Sequence, residues 1–135
     1  MRYEKKYFQK IPVSRKLIDR YWSNAKRDLA IAKKDKYPEV RFQYAYQALL
    51  KAGITILAKQ GGVKVRSAPG HHIQVLKKFS ELVNNPDVFT IGNIMPQKRN
   101  IDIYGGGEII SAKEATDYVR FVEKILSDME PIFRE

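Results

Sequence analysis

The sequence predicts an all-α protein, an up-and-down bundle of four main helices with one broken segment. Apolar residues recur every three or four positions through most of the chain, and no stretch shows convincing strand character. Proline and glycine interrupt these runs, and short connections between long helices favour antiparallel neighbours. A length of 135 residues suits one domain, residues 1–135, that buries its own core.

The first helix is predicted to begin after Ser14, a suitable N-cap, and residues 1–13 before it are predicted to be an irregular N-terminal arm. Trp22 flanks the apolar row of this helix, whose other face is basic. The predicted core-facing row consists of Leu17, Tyr21, Ala25, Leu29 and Ala32. The basic side chains expected to point largely away from the core are Lys26, Arg27, Lys33 and Lys34.

The second helix is predicted to be central, because it is the most apolar run in the chain. Proline at a first helical position favours a start at Pro38, and Gly61 and Gly62 mark the end. Gly53 in its interior predicts a close helix crossing. One predicted buried row is Phe42, Ala45, Leu49, Ala52 and Ile56, with Tyr46, Leu50, Gly53 and Leu57 beside it.

The remaining helices follow Gly70 and Ser111. The third is expected to bury Ile73, Leu76, Phe79, Leu82 and Val83. A short helix, a kink and a further turn or two are predicted over residues 87–104, where Gly92 and Pro96 interrupt the pattern. The last helix begins with a Ser111–Glu114 capping box and is expected to end at Pro131. Its predicted buried face is Ala115, Tyr118, Val119, Val122, Ile125, Leu126 and Met129.

Charge is distributed unevenly along the chain, whose net charge is +10. Residues 1–36 hold 12 Lys/Arg against 4 Asp/Glu, whereas residues 111–135 hold 4 against 6. A one-sided positive field attracts polyanions, so nucleic acid and an acidic protein are both plausible partners. Solvated lysine-rich helix faces explain such a distribution equally well.

Composition also excludes several kinds of site. There is no cysteine, which removes disulfides and thiolate chemistry and fits a reducing, cytoplasmic location. The longest apolar run, around residues 52–58, is too short to span a membrane. His71 and His72 are the only histidines, and adjacent helical residues point about 100° apart, so no metal site is predicted. No phosphate-binding glycine motif and no cofactor are predicted.

The densest group of polar residues is the segment PQKRNIDIYGGG, residues 96–107. In a helical turn Asn100 and Tyr104 share a face, and the long side chain of Arg99 reaches the same spot. Arginine offers a planar donor fork to phosphate, asparagine adds neutral donors, and tyrosine stacks on a base. The alternative is a structural helix end at which Arg99 caps backbone carbonyls beside a half-buried Tyr104.

The order of these elements resembles the HEPN superfamily. The resemblance covers residues 14 to about 130: a basic first helix, an aromatic and alanine-rich second, PGHHIQVLKKF, the Arg-Asn-x3-Tyr motif and SAKEATDYVRFVEKIL. It implies a four- to five-helix bundle, a homodimer, and a place beside a minimal nucleotidyltransferase in a toxin-antitoxin-type or defence module. Active members are metal-independent ribonucleases in which four to six residues separate an arginine from a histidine.

In this resemblance Arg99 matches the motif arginine and Asn100 its polar follower, whereas Tyr104 stands where the histidine is expected. A tyrosine with an ordinary pKa near 10 transfers protons poorly at neutral pH. His72 resembles a histidine often found near the start of the third helix, where packing or capping is its expected role. The chain therefore looks closer to the Arg-x4-Tyr members encoded beside nucleotidyltransferases, in some of which a motif-adjacent tyrosine is nucleotidylated.

Three functions remain open at this point. The first is binding of a nucleotide or RNA through Lys98, Arg99, Asn100, Asp102 and Tyr104. The second is metal-independent RNA cleavage by Arg99, Asn100 and Tyr104, with Tyr104 or a second residue replacing histidine. The third is a purely structural partner whose basic face meets an acidic protein.

Overall fold

Helices make up most of the described chain. A computed structural model describes residues 2–94 and 110–134, and the predicted all-α bundle is confirmed there. The elements in chain order are β1 (Phe8–Lys10), α1 (Arg15–Lys34), α2 (Pro38–Gly61), β2 (Val63–Val65), α3 (His71–Leu82), α4 (Asp87–Thr90) and α5 (Ala112–Phe133). No helix within this part is long and apolar enough to cross a membrane.

The helices begin where local sequence signals predict. The Ser14 hydroxyl group accepts a hydrogen bond from the Leu17 N–H at 3.1 Å, and Pro38 is the first residue of α2. At α5 the Ser111 hydroxyl accepts from the Glu114 N–H, and the Glu114 carboxylate accepts from the Ser111 N–H. These caps satisfy backbone N–H groups that have no partner inside the helix.

The core forms around α2, which packs against α1, α3 and α5. The predicted α2 row and all seven residues of the predicted α5 face are buried. Gly53 marks a close crossing, as predicted, because a Cβ atom there would lie 2.8 Å from Cδ2 of Phe79 in α3. The core of the bundle was therefore readable from the apolar period alone.

Contacts between the helices define their directions. Arg41 in α2 bonds Ala32 of α1, nine residues back, so these neighbours are antiparallel as predicted. By contrast, α2 and α5 run the same way: Phe42 stacks on Tyr118 near their beginnings, and Lys59 bonds the Ile132 carbonyl near their ends. α2 and α3 also run in the same direction, because Tyr46 lies beside His72 and, further along both helices, Gly53 lies beside Phe79.

The core-facing side of α1 differs from the prediction by about one residue. Leu17 and Tyr21 are only half-buried, whereas Ile18 and Trp22 are buried. The reason lies in α5: the Trp22 ring packs 4.4 Å from that of Phe133, and its indole N–H donates to Glu130 at 3.0 Å.

Two other helix predictions were wrong. Ile73 in α3 is 40% exposed, and Val75 is buried in its place between α2 and the strand pair. Pro131 does not end α5, which continues to Phe133. A proline in the last turn removes a single backbone hydrogen bond, and the packing of Phe133 on Trp22 holds the turn in place.

A small antiparallel sheet, which the sequence did not predict, joins the N-terminal arm to the chain after α2. Phe8 pairs with Val65 and Lys10 with Val63. The arm packs rather than dangles: Phe8 and Val63 are buried against Leu57 and Val75. Three-residue strands are too short to give a recognisable alternating pattern.

Candidate functional site

All the side chains predicted to bind a nucleotide or RNA lie outside the described residues. These are Lys98, Arg99, Asn100, Asp102 and Tyr104, within the undescribed segment 95–109. The described residues that flank this segment are the end of the α4 region on one side and the start of α5 on the other.

The chain enters the segment through a tightly packed glycine. A Cβ atom at Gly92 would overlap the carbonyl oxygen of Val88 and lie 2.7 Å from Cδ2 of Leu49 in α2. Only glycine fits this contact, so the predicted interruption of the helix at Gly92 has a packing cause. The Gly92 carbonyl accepts a hydrogen bond from the Tyr118 hydroxyl at 3.2 Å, which ties the entry point to α5.

The chain leaves the segment through a buried residue and a well-formed cap. Ile110 is only 3% exposed and belongs to the main core, and Ser111 is the N-cap of α5. Both attachment points of segment 95–109 are thus fixed to the N-terminal half of α5. Pinning both ends restricts the positions that a fifteen-residue segment can occupy.

Two aromatic side chains pack against each other next to Gly92, where the chain enters the segment. The Phe42 and Tyr118 rings stack with centroids 4.1 Å apart and planes 13° from parallel. Burial raises the pKa of Tyr118, and the nearby Tyr46 raises it further. Burial also raises the pKa of Tyr46 to about 12. Both tyrosines therefore stay neutral at physiological pH, and the Tyr118 hydroxyl acts as a hydrogen-bond donor.

Arg41 braces the same end of the bundle. Its Nε donates to the carbonyl oxygen of Ala32 in the last turns of α1, and its Nη1 donates to the Thr116 hydroxyl in the first turns of α5, each at 3.1 Å. One guanidinium group therefore connects three helices, which makes this end a rigid support for segment 95–109.

The two histidines have different environments. The His71 ring N–H donates to the Ala68 carbonyl at 2.8 Å, so His71 makes the local backbone bond expected of His72. Both ring nitrogens of His72 are shielded from solvent and have no hydrogen-bond partner among residues 2–94 and 110–134. Burial and the neighbouring His71 lower the pKa of His72. Its imidazole is therefore neutral at pH 7.

His72 lies in the same half of the bundle as the entry to segment 95–109. Its ring meets that of Tyr46 edge-on with centroids 6.5 Å apart, and Tyr46 lies close enough to Tyr118 to influence its titration. The sequence offered one sign of this: a histidine pair directly after a Pro-Gly turn. No group of three or more metal-binding side chains occurs within residues 2–94 and 110–134.

An ion pair with a buried carboxylate joins α1 to α2, and the sequence did not predict it. Asp28 is 4% exposed, and its Oδ2 lies 2.7 Å from Nζ of Lys51 in α2. Because this approach does not meet hydrogen-bond geometry, the contact is an ion pair rather than a well-formed hydrogen bond. The available signal was helical spacing, since Asp28 falls between Ala25 and Ala32 on the core-facing side.

Beside this ion pair a cavity of about 290 Å³ opens between α1, α2 and β2. The residues that line it are Tyr21, Asn24, Lys51, Ile54, Lys64 and Val65. The Lys51 ammonium group at its wall is already paired with Asp28. The other lysine of the lining, Lys64, is exposed and forms no ion pair with another residue of the described chain.

Comparisons of this chain with protein-family models, with curated proteins and with solved structures found no match. The functional assignment accordingly depends on the residues of the chain itself.

Proposed function

We propose that this chain is a HEPN-like protein that binds RNA or a nucleotide through segment 98–104. In this proposal it works in the cytoplasm as a homodimer and as the partner of a minimal nucleotidyltransferase in a toxin-antitoxin-type or defence module. Arg99 grips phosphate, Asn100 and Asp102 orient neighbouring groups, Lys98 adds charge, and Tyr104 stacks on a base or donates a hydrogen bond.

One observation carries the proposal: the attachment of segment 95–109. The segment starts beside the Tyr118–Gly92 hydrogen bond and ends at the Ser111 cap, both on the N-terminal half of α5. Arg41 braces the same end of the bundle. A binding motif needs a fixed support, and both attachment points of this segment are packed at the same end of the bundle.

Binding of a fluorescein-labelled single-stranded RNA in the presence of EDTA tests the proposal. We expect the wild-type protein to bind this RNA without cleaving it and to lose affinity steeply as salt is added. Arg99→Ala should weaken binding at least about tenfold, the value of one hydrogen bond to a charged group. The matched control is Arg120→Ala, which removes the same charge from an exposed position on α5.

The result that would overturn this proposal is an absence of binding by the wild-type protein at low salt. That outcome would leave the structural partner, with a basic face that meets an acidic protein. Equal loss of affinity in Arg99→Ala and Arg120→Ala would also count against it, since total charge rather than the motif would then determine binding.

A second function, metal-independent RNA cleavage, is favoured by one observation on His72. His72 lies in the half of the bundle where segment 95–109 begins, and its imidazole is neutral at pH 7. It serves as the base that Tyr104 lacks only if RNA binding exposes its shielded ring nitrogens. In this reaction His72 takes the proton of the ribose 2′-hydroxyl, and the 2′-oxygen attacks phosphorus. The bond to the 5′-oxygen breaks, the leaving 5′-oxygen takes up a proton, and a 2′,3′-cyclic phosphate remains.

The same RNA distinguishes this second function from simple binding. Cleavage in EDTA that yields a 2′,3′-cyclic phosphate, and that is lost in both His72→Gln and Arg99→Ala but kept in Arg120→Ala, would establish it. Intact RNA after prolonged incubation with a protein that binds tightly would exclude it.

A further inference from the structure

Four basic side chains of α1 form a single row on the face opposite the core. They lie at spacings of four, seven and seven residues, which places them within about 40° of one another around the helix axis. All are exposed, whereas Ile18, Ala25 and Ala32 on the opposite side are buried. The members of this basic row are Lys16, Arg20, Arg27 and Lys34.

The basic row is not neutralised by the protein. None of its four members forms an ion pair with another residue of the described chain. A second row of basic side chains lies one position earlier along α1. Each of its members is neutralised by an ion pair. Its pairs are Arg15 with Asp19, Lys26 with Glu130, and Lys33 with Glu123.

Two of the three pairs in the second row are made by α5, and the third, Arg15 with Asp19, lies within α1. Glu123 and Glu130 belong to α5 and face the flank of α1 that carries the second row. The acidic excess of residues 111–135 is therefore partly used in holding α1 in place. The basic row points away from those carboxylates, and its charge remains available to an external partner.

The length of the row selects the kind of partner. Lys16 and Lys34 are eighteen residues apart, about 27 Å along the helix. A single nucleotide reaches only one or two of the four cations, whereas a strand of several phosphates reaches all of them. The side chains between them are Ser23, Asn24, Ala30 and the half-buried Ile31. Because Ile31 is the only large apolar side chain among these four, the face lacks the broad apolar surface that a lipid-binding helix needs.

The row also leads toward the segment that carries the motif. Lys34 ends α1 at the end of the bundle where Arg41 joins Ala32 to Thr116. We propose that the basic row binds the phosphate backbone of an RNA strand. This inference rests on the proposed function and narrows its ligand from a nucleotide or RNA to an RNA strand.

The chain itself offers a matched test. The variant Lys16→Gln/Arg27→Gln/Lys34→Gln removes three charges from the basic row. The control Arg15→Gln/Lys26→Gln/Lys33→Gln removes one arginine and two lysines at positions exactly one residue earlier. Both variants have the same net charge. They differ in the position of the lost charges and in the three ion pairs that only the control loses. Affinity for a fluorescein-labelled single-stranded RNA is measured over a range of salt concentrations.

We expect the basic-row variant to bind at least about tenfold more weakly than the wild-type protein. The plot of log affinity against log salt should also become less steep, its slope falling in magnitude by about 2, or roughly 0.7 for each lost phosphate contact. The control should keep the wild-type slope. Equal losses in the two variants, or none in the basic-row variant, would overturn the inference. So would competition by poly-glutamate as effective as that by unlabelled RNA, which would indicate an acidic protein instead.

Arg99→Ala in the same assay separates this inference from the proposed function. If Arg99→Ala weakens binding while the basic-row variant does not, the motif binds RNA and the row does not. If the wild-type protein binds no RNA at low salt, the proposed function itself fails.

Discussion

The hydroxyl group of Tyr118 donates a hydrogen bond to the carbonyl oxygen of Gly92, 26 residues earlier in the chain. This bond holds the entrance of the motif segment against α5, and the stack on Phe42 fixes the tyrosine ring that makes it. Its removal should therefore loosen the chain next to the motif without disturbing the core.

Tyr118→Phe keeps the stacked ring and removes the donor. We expect the free energy of unfolding to fall by about 1 kcal/mol, because the Gly92 carbonyl loses its partner. Hydrogen exchange at the amides of Asn93 and Ile94 should become faster. The control is Tyr44→Phe. Tyr44 is half-buried and packs against the core, but its hydroxyl group has no hydrogen bond in the described chain. Unchanged exchange at both amides would refute the role of the bond.

Gly53→Ala should destabilise the crossing of α2 and α3. The added Cβ would lie 2.8 Å from Phe79 Cδ2 and 3.0 Å from Val75 Cγ1, both in the core. We expect a loss of about 1–3 kcal/mol in urea unfolding, since overpacking outweighs the better helix propensity of alanine.

Gly61→Ala is the control for this crossing. Its Cβ would meet the hydroxyl end of the Tyr3 side chain, which can move aside. We expect little change in the free energy of unfolding for Gly61→Ala. If both variants lost similar amounts of unfolding free energy, the close crossing of α2 and α3 would not be the reason for glycine at position 53.

His72 should make the protein less stable as pH falls below about 6.5, the ordinary histidine value. Because burial and His71 lower its folded-state pKa, the unfolded chain binds the proton more readily. The stabilisation is complete above the unfolded pKa and is lost as pH falls through the folded one. Urea unfolding from pH 7.5 to 5 should give a flatter profile for His72→Gln, and the ring-proton NMR titration of His72 should lie below that of a free histidine. An identical profile for the variant would contradict this.

Ile73 and Tyr37 are large apolar side chains exposed in the half of the bundle where α2 begins. Because exposed apolar side chains are the natural material of an interface, we expect the proposed dimer contact to include them. Ile73→Asp should therefore shift the protein from dimer to monomer in sedimentation at tens of micromolar. Val13→Asp is the matched control, because Val13 is also 40% exposed but lies at the opposite end, near Phe133. A wild-type protein that sediments as a monomer would rule out the dimer.

The helices were predictable because their signals are local. The Ser14 and Ser111 caps, Pro38 and the wide apolar stripe of α2 each depend on residues a few positions apart. The core-facing side of α1 was less predictable. Rows through Leu17 or through Ile18 fit a helical period almost equally well, and the contact between Trp22 and Phe133, more than a hundred residues apart, decides between them.

The surroundings of the candidate site were harder to predict than the motif. Arg99, Asn100 and Tyr104 are conspicuous by composition, whereas the support formed by Arg41, Tyr118 and Gly92 depends on long-range contacts. The unpartnered ring of His72 depends in the same way on which side chains cover it. No local pattern in the sequence carries that information.

The strand pair gives the first residues of the chain a protective role. Phe8 covers Leu57, Val63 and Val75, and Tyr3 lies against Gly61 at the end of α2. A shortened version that starts at Pro12 would uncover this apolar group while leaving every helix intact. Such a chain would still be helical by circular dichroism, yet its newly exposed patch would make it prone to aggregate during purification.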